Sequence, residues 1–265
     1  MRKYIVFLLL VFCVRITYAQ DTFTVIKVSG NIIIERTGSQ LGIGTSFSQN
    51  ENLVFKVPDS RAAVINPQRG RFLLTSQNSV EFRSSKSNYL PSAAKISTRA
   101  VGFGTRTSDL KNNLEGSFVI LDENKLVIDT IVYPMASRKY FFIKYDYNNN
   151  TINKKLAFTK DTLIIKRNEL LTVGGTVIPK PQINQMQLIY FKEGENGSTA
   201  VASFTPVFPD PDVFKKEIKI IVDQMEMNPY TDKFREISTF IRDFYGKVDE
   251  NSLKGWLKYN FHLKP

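Results

Sequence analysis

The residues best suited to chemistry in this chain lie where aromatic and basic side chains interleave. Tyr140-Phe141-Phe142-Ile143-Lys144-Tyr145-Asp146-Tyr147 is followed by Lys154, Lys155, Lys160, Lys166 and Arg167. Aromatic faces suit sugar rings and cations, and ammonium and guanidinium groups attract carboxylates and phosphates. Residues 138–167 hold eight basic residues against two acidic ones, Asp146 and Asp161. Such a field draws anionic partners and weakens with salt. Lys154, Lys155, Lys160, Lys166, Arg167, Tyr145 and Tyr147 are therefore the candidate partner-binding residues. A plainer reading competes with this one. Alternation puts Phe141, Ile143, Tyr145 and Tyr147 on one strand face and Tyr140, Phe142 and Lys144 on the other, as in a central strand packed on both sides. The lysines equally suit a solvated surface.

Catalytic side chains are scarce. His262, three residues from the C-terminus, is the only histidine. A Ser-His-Asp triad or a multi-histidine metal site would have to use that residue. An ordinary tail side chain is the simpler reading. Asp210 and Asp212 are spaced like ligands on a loop, but a calcium loop needs more oxygen ligands and a glycine, and helix capping explains both residues. Gly42-Ile43-Gly44 and Gly102-Phe103-Gly104 lack the third glycine or the Lys-Ser/Thr of a phosphate loop. Carboxylate catalysis needs only two acids that meet in space, and there are 25 to draw on. The sequons Asn149-Asn150-Thr151 and Asn196-Gly197-Ser198 read as surface turns. No catalytic residue, metal ligand or cofactor is assigned, and a non-enzymatic binding or assembly module is expected. The alternative is a glycan-binding or glycan-processing protein that uses the aromatics and carboxylates of the middle region.

The N-terminus supplies the compartment. Arg2 and Lys3, an apolar run over residues 4–14 and Thr17-Tyr18-Ala19 form the n-, h- and c-regions of a secretory signal peptide, with cleavage expected after Ala19. The run is too short for a membrane span, which needs about 20 apolar residues. Bulky Phe12 makes the following Cys13 a poor lipid-attachment site. Cleavage removes that single cysteine, so the mature chain forms no disulfide and no thiolate metal site. Loss of Arg2, Lys3 and Arg15 lowers the net charge from +11 to +8. No later segment approaches membrane-spanning length. The expected place is the periplasm or an association with the outer membrane, ahead of full secretion, and the expected partner an envelope protein or an anionic envelope polymer. Nucleic acid is not a partner that an exported chain ordinarily meets.

Elements that position these residues follow from periodicity. Residues 23–208 read as short β-branched and aromatic runs punctuated by Gly, Asn, Asp and Pro, the pattern of an all-β region. Early strands are Val25-Ile26-Lys27-Val28, Ile32-Ile33-Ile34, Leu53-Val54-Phe55, Ala62-Ala63-Val64-Ile65 and Phe72-Leu73-Leu74. Residues 76–114 are polar and read as a connection holding the first domain boundary. A second series spans residues 118–204, turning at Asn148-Asn149-Asn150, and its count of about seven strands suits an immunoglobulin-like sandwich. The cysteine and tryptophan hallmarks of that sandwich are missing.

At Pro209-Asp210-Pro211-Asp212 the period changes to that of a helix, with Phe214, Ile218, Ile221, Val222 and Met225 on one face. Thr231 is the expected cap of a second helix stopped by Gly246, and Ser252 the expected start of a third. The expected fold is thus mainly β with a C-terminal α-helical segment: a small β-barrel or sandwich at 20–95, an immunoglobulin-like sandwich at 96–208 and two or three helices at 209–265. The β-region is expected to fold without the helices but to be less soluble.

The order Val25-x-Lys27-Val28-x-Gly30-x-Ile32, Leu41-x-x-Gly44, Asn52-Leu53-Val54, Ser60-Arg61-Ala62 and Gly70-Arg71-Phe72-Leu73 resembles the FecR-type β-domain. That domain occurs in cell-envelope proteins, including sensors that relay an outer-membrane signal. The resemblance implies a small β-domain at the envelope. This chain differs in having no transmembrane helix and no cytoplasmic anti-sigma segment after the export signal. Its richness in Lys, Asn and Phe is similar to that of exported Bacteroidetes proteins.

Overall fold

The computed structural model describes residues 21–84, 109–179, 181–194, 197–226 and 232–263. The expected export signal, Gly102 and Gly104, Asn196 of the second sequon and the expected cap Thr231 lie outside these residues. The chain divides into two compact units, one of Met1–Pro91 with Glu226–Asn228 and one of Ser92–Met225 with Pro229–Pro265. The structure is mainly β, with helices at its C-terminal end.

In the first unit, β1 (Thr22–Ser29), β2 (Ile32–Ile34), β3 (Ser46–Ser48), β4 (Leu53–Phe55), β5 (Arg61–Asn66) and β6 (Gly70–Thr75) precede the short helix α1 (Ser79–Ser84). An antiparallel sheet runs in the order β3-β1-β5-β6, and β2 pairs with β4. Its core is aromatic. Phe82 meets Phe23 and Phe72 edge-to-face with centroids 4.8 and 5.5 Å apart. Burying each such ring contributes about 1.5–3 kcal/mol, which explains why a six-residue helix forms in a stretch whose polarity reads as a connection. Asn78 anchors it by accepting from Thr75 N–H (2.8 Å) and donating to the Leu73 carbonyl (2.8 Å). The Arg69 guanidinium lies 5.5 and 5.2 Å from the Phe23 and Phe72 ring centroids and donates to Gln49 Oε1 (2.5 Å).

The second unit opens with α2 (Leu110–Leu114), β7 (Ser117–Val119), β8 (Glu123–Val127), β9 (Lys139–Tyr147), β10 (Asn150–Lys155), β11 (Ala157–Thr159) and β12 (Thr162–Lys166). α3 (Arg167–Leu171), the hairpin β13 (Thr172–Val173) and β14 (Thr176–Val177), β15 (Met186–Lys192) and β16 (Gly197–Val207) follow. One sheet has the order β10-β9-β15-β16-β7 and the other β11-β12-β8. This is an immunoglobulin-like sandwich: β8, β12 and β11 take the places of strands B, E and D, and β9, β10, β15 and β16 those of C, C′, F and G. The opening strand β7 runs parallel to β16 on its outer edge.

Between the sheets, Phe141, Ile143, Tyr145, Leu188 and Phe204 pack with Leu126, Ile128, Leu163 and Ile165. Instead of a disulfide and tryptophan, Tyr133, Phe141 and Tyr190 stack with centroids 4.9–5.5 Å apart. Tyr190 donates its hydroxyl hydrogen to the Pro134 carbonyl (2.5 Å). The β9–β10 hairpin turns at Asn148 and Asn149, whose φ values of 49° and 60° suit the two-residue loop that matches strand twist. Strands β10 and β11 occupy residues between the Asn148-Asn149-Asn150 turn and the strand expected at Leu163-Ile164-Ile165. Ile152-Asn153-Lys154-Lys155 has one apolar residue, too weak a signal for an edge strand paired on one side only.

Three helices follow: α4 (Pro211–Glu226), α5 (Lys233–Phe244) and α6 (Glu250–Phe261). Phe214, Ile218, Ile221, Val222 and Met225 are buried on α4, as its periodicity requires. Asp210 Oδ1 accepts from Asp212 N–H (3.1 Å) and Val213 N–H (3.0 Å). The other two helices are capped by Asp232 and Asp249 rather than beginning as expected from Thr231 and Ser252. A carboxylate satisfies the same N–H groups as a hydroxyl and adds its charge to the positive helix end.

These helices belong to the same compact unit as the sandwich, and the expected boundary at 208/209 falls inside it. Lys247, between α5 and α6, pairs with the outer edge of β7. Its N–H donates to the Ser117 carbonyl (2.8 Å), and its carbonyl accepts from Val119 N–H (2.7 Å). Ser252 Oγ accepts from Lys125 N–H on β8 (2.9 Å). An edge of each sheet is thereby covered, which removes unpaired backbone groups that would otherwise template aggregation.

Candidate functional site

The sheet face directed away from the sandwich interior carries Tyr140, Phe142, Lys144 and Asp146 on its strand β9. Register fixes their neighbours. Phe142 lies between Lys155 of β10 and Ile189 of β15, Lys144 between Asn153 and Gln187, and Tyr140 beside Phe191. Across β15, Phe191, Ile189 and Gln187 pair with Ser198, Ala200 and Ser203 of β16. Successive rows are about 7 Å apart and neighbouring strands about 4.8 Å. The result is an aromatic ridge beside a low shelf of small, exposed residues.

Within the ridge, ring centroids of Tyr140 and Phe191 are 4.9 Å apart, and those of Tyr140 and Phe142 are 6.5 Å apart. Lys155 Nζ sits 3.9 Å from the Tyr140 ring centroid, within cation–π range. Tyr140, Phe142, Phe191, Lys144 and Gln187 are half-buried, and Asn153 and Lys155 are exposed. Thr151 Oγ and Asp146 Oδ1 are 2.7 Å apart at the polar end. Large aromatics that keep solvent exposure on a sheet whose other face fills a core mark a surface suited to contact.

The seven residues singled out from sequence do not form one site. Tyr145 is 2% exposed and donates its hydroxyl hydrogen to the Leu170 carbonyl (2.6 Å). Burial, with Tyr147 nearby, raises its pKa, and its position takes it out of any contact surface. Tyr147 packs beside the same core. Lys154 donates its ammonium hydrogen to the Thr172 carbonyl. Lys160 is exposed in the β11–β12 turn. Lys166 pairs with Glu169 at 2.9 Å, and that hydrogen bond raises its pKa. Only Lys155 joins the aromatic ridge.

Arg167 lies at a separate, small cavity of about 80 Å³ whose lining includes Asp122, Phe214 and Trp256. It donates to the Pro209 carbonyl (2.8 Å) and lies 5.6 Å from the Phe208 ring centroid. Burial lowers its pKa, against the opposing pull of Asp122 and Asp210.

Alternation separates Tyr140, Phe142 and Lys144 from Tyr145 and Tyr147, and the latter two tyrosines are the ones expected to bind. The missing signal was pairing: Phe191 and Gln187 have the parity that places them beside Tyr140 and Lys144. His262 caps the C-terminal end of α6 with left-handed backbone (φ 54°), its N–H donating to the Lys258 carbonyl (3.1 Å). Among the described residues, no three or more His, Cys, Asp or Glu side chains are grouped to hold a metal, and no helix is long and apolar enough to cross a membrane. No family model, curated protein or solved structure matches the chain.

Proposed function

We propose that this chain is an exported, non-enzymatic cell-envelope protein that acts as a binding or assembly module, with the outer face of the five-stranded sheet as its contact surface. The partly exposed Tyr140–Phe142–Phe191 ridge, flanked by Lys144 and Lys155, carries this reading. Burying an aromatic side chain provides binding energy at low conformational cost, and peripheral lysines steer an anionic partner. The signal-peptide pattern over residues 1–19 and the FecR-type spacing over residues 25–73 support an envelope setting.

The test is capture from a solubilised envelope fraction at low and physiological salt. The wild-type chain should retain an envelope component that Tyr140→Ser/Phe142→Ser releases, with stronger retention at low salt. Equal retention by both proteins would place the contact elsewhere, and loss of mass from the retained component over time would reveal turnover and favour glycan processing.

A further inference from the structure

We infer that the outer face of the five-stranded sheet binds an acidic polysaccharide, a proposal that rests on the binding-module reading above. The ridge presents ring faces, and one face of a pyranose is a patch of C–H groups that pairs with the negative face of an aromatic ring. Within one row, about 7 Å away, the surface changes from rings to hydrogen-bonding groups. Asn153, Lys144 and Gln187 align across three strands, and Ser203 continues the row on the fourth. Planar amides offer a donor and an acceptor side by side, matching vicinal sugar hydroxyls.

Charge selects the acidic class. Lys155 is the cross-strand neighbour of Phe142 and Lys144 follows one row along β9, whereas Asp146 is at the far polar end beside Thr151 and Glu193, just past Phe191, is paired with Arg138 at 3.1 Å. A carboxylate-bearing sugar stacked on the ridge would therefore meet ammonium groups before it met Asp146. A protein partner suits the face less well. Protein contacts are anchored by a desolvated apolar centre, and here the apolar centre is only two rows deep and flanked by polar residues.

Affinity electrophoresis of the full exported chain tests this in gels containing polygalacturonate, alginate or hyaluronate. Dextran serves as the neutral control and polyglutamate as the acidic non-sugar control. At least one acidic polysaccharide should bind about tenfold or more tightly than either control, and Lys144→Gln/Lys155→Gln should reduce that binding about tenfold. Phe191→Ser should reduce it similarly, while Lys160→Gln, away from the ridge, should leave it unchanged. If Phe191→Ser misfolds, the lysine pair still decides the matter, since it leaves the core intact. Equal retardation by polyglutamate, indifference to the lysine variants, or no retardation by any of the three polysaccharides would overturn the proposal. If the polysaccharides fail while envelope capture still depends on Tyr140 and Phe142, the face is a protein-docking surface and the binding-module reading survives. If both fail, that reading falls too.

Discussion

Gly246 lies directly against Ser117. A Cβ on Gly246 would stand 2.6 Å from Ser117 Cβ and still closer to its carbonyl oxygen, and Gly246 has φ +118°. This close approach brings the chain out of α5 and lets Lys247 pair with β7. Alanine would face both a steric clash and a backbone region that L-residues rarely occupy. Gly246→Ala should therefore destabilise the second unit by about 1–3 kcal/mol, read as a lower denaturation midpoint. An unchanged midpoint would mean that the β7 edge tolerates displacement of the tail.

Ser252 connects α6 to the other sheet. Its hydroxyl oxygen accepts from Lys125 N–H (2.9 Å), and its own hydrogen goes to Asp249 Oδ1 (2.5 Å). Ser252→Ala leaves a backbone donor without this acceptor, which costs about 1–3 kcal/mol where the group is buried. Ser252→Thr keeps the hydroxyl and should retain most of the stability in urea titration. Equal losses from the two variants would point to crowding and not to the hydrogen bond.

Asp249 gives a pH signature. Burial raises its pKa above the ordinary aspartate value, against the hydrogen bonds from Ser252 that favour the charged form. Because the folded carboxyl holds its proton more tightly than the unfolded one, its ionisation weakens the fold as pH rises from the unfolded pKa through the folded pKa. Relative to Asp249→Asn, the wild type should gain stability as pH falls through that window. Parallel urea midpoints for the two proteins across pH 3.5–7 would show that the buried charge has no such cost.

The legible parts of the fold were those written in local periodicity. The α4 face from Phe214 to Met225 and the Asn148-Asn149 turn needed only neighbouring residues to specify them. Strand β10, although its partner β9 is next to it in the chain, is a polar edge segment with too little apolar alternation to mark it, and the pairing of Lys247 with β7 depends on a partner distant in sequence. The candidate face was half legible for the same reason. Alternation grouped Tyr140 with Phe142 and Lys144, but only cross-strand register brings Phe191 and Gln187 beside them.

Lys154, Lys155 and Lys160 separate into three environments, so their reversal to Glu should give three outcomes. Lys160→Glu, in an exposed turn, should shift stability by less than about 0.5 kcal/mol and leave envelope capture unchanged. Lys154→Glu loses its bond to the Thr172 carbonyl and should cost about 1 kcal/mol of stability with little effect on capture. Lys155→Glu puts a negative charge beside the Tyr140 ring face and should weaken capture with little change in melting temperature. The capture difference should shrink as salt shortens the Debye length below its value of about 8 Å at physiological strength. Equal capture by all three variants would rule out the ridge as the anionic contact.

Ending the chain at Asp210 tests whether the helices only shield the sandwich or complete it. The deletion removes the Lys247 pairing on β7 and the Ser252 acceptor on β8, one from the edge of each sheet. It also removes Phe214 and Trp256, which line the cavity beside Ile120 and Leu121. Each large apolar side chain that loses its burial costs about 1.5–3 kcal/mol, so a few such losses match the 5–15 kcal/mol that stabilises a typical domain. The second unit should therefore lose cooperative unfolding as well as solubility. Its near-UV circular dichroism from the packed Tyr133, Tyr145 and Tyr190 should collapse while much of the far-UV β signal persists. A truncated chain that keeps a sharp melt and its tyrosine signal would show that the sandwich folds without the helices.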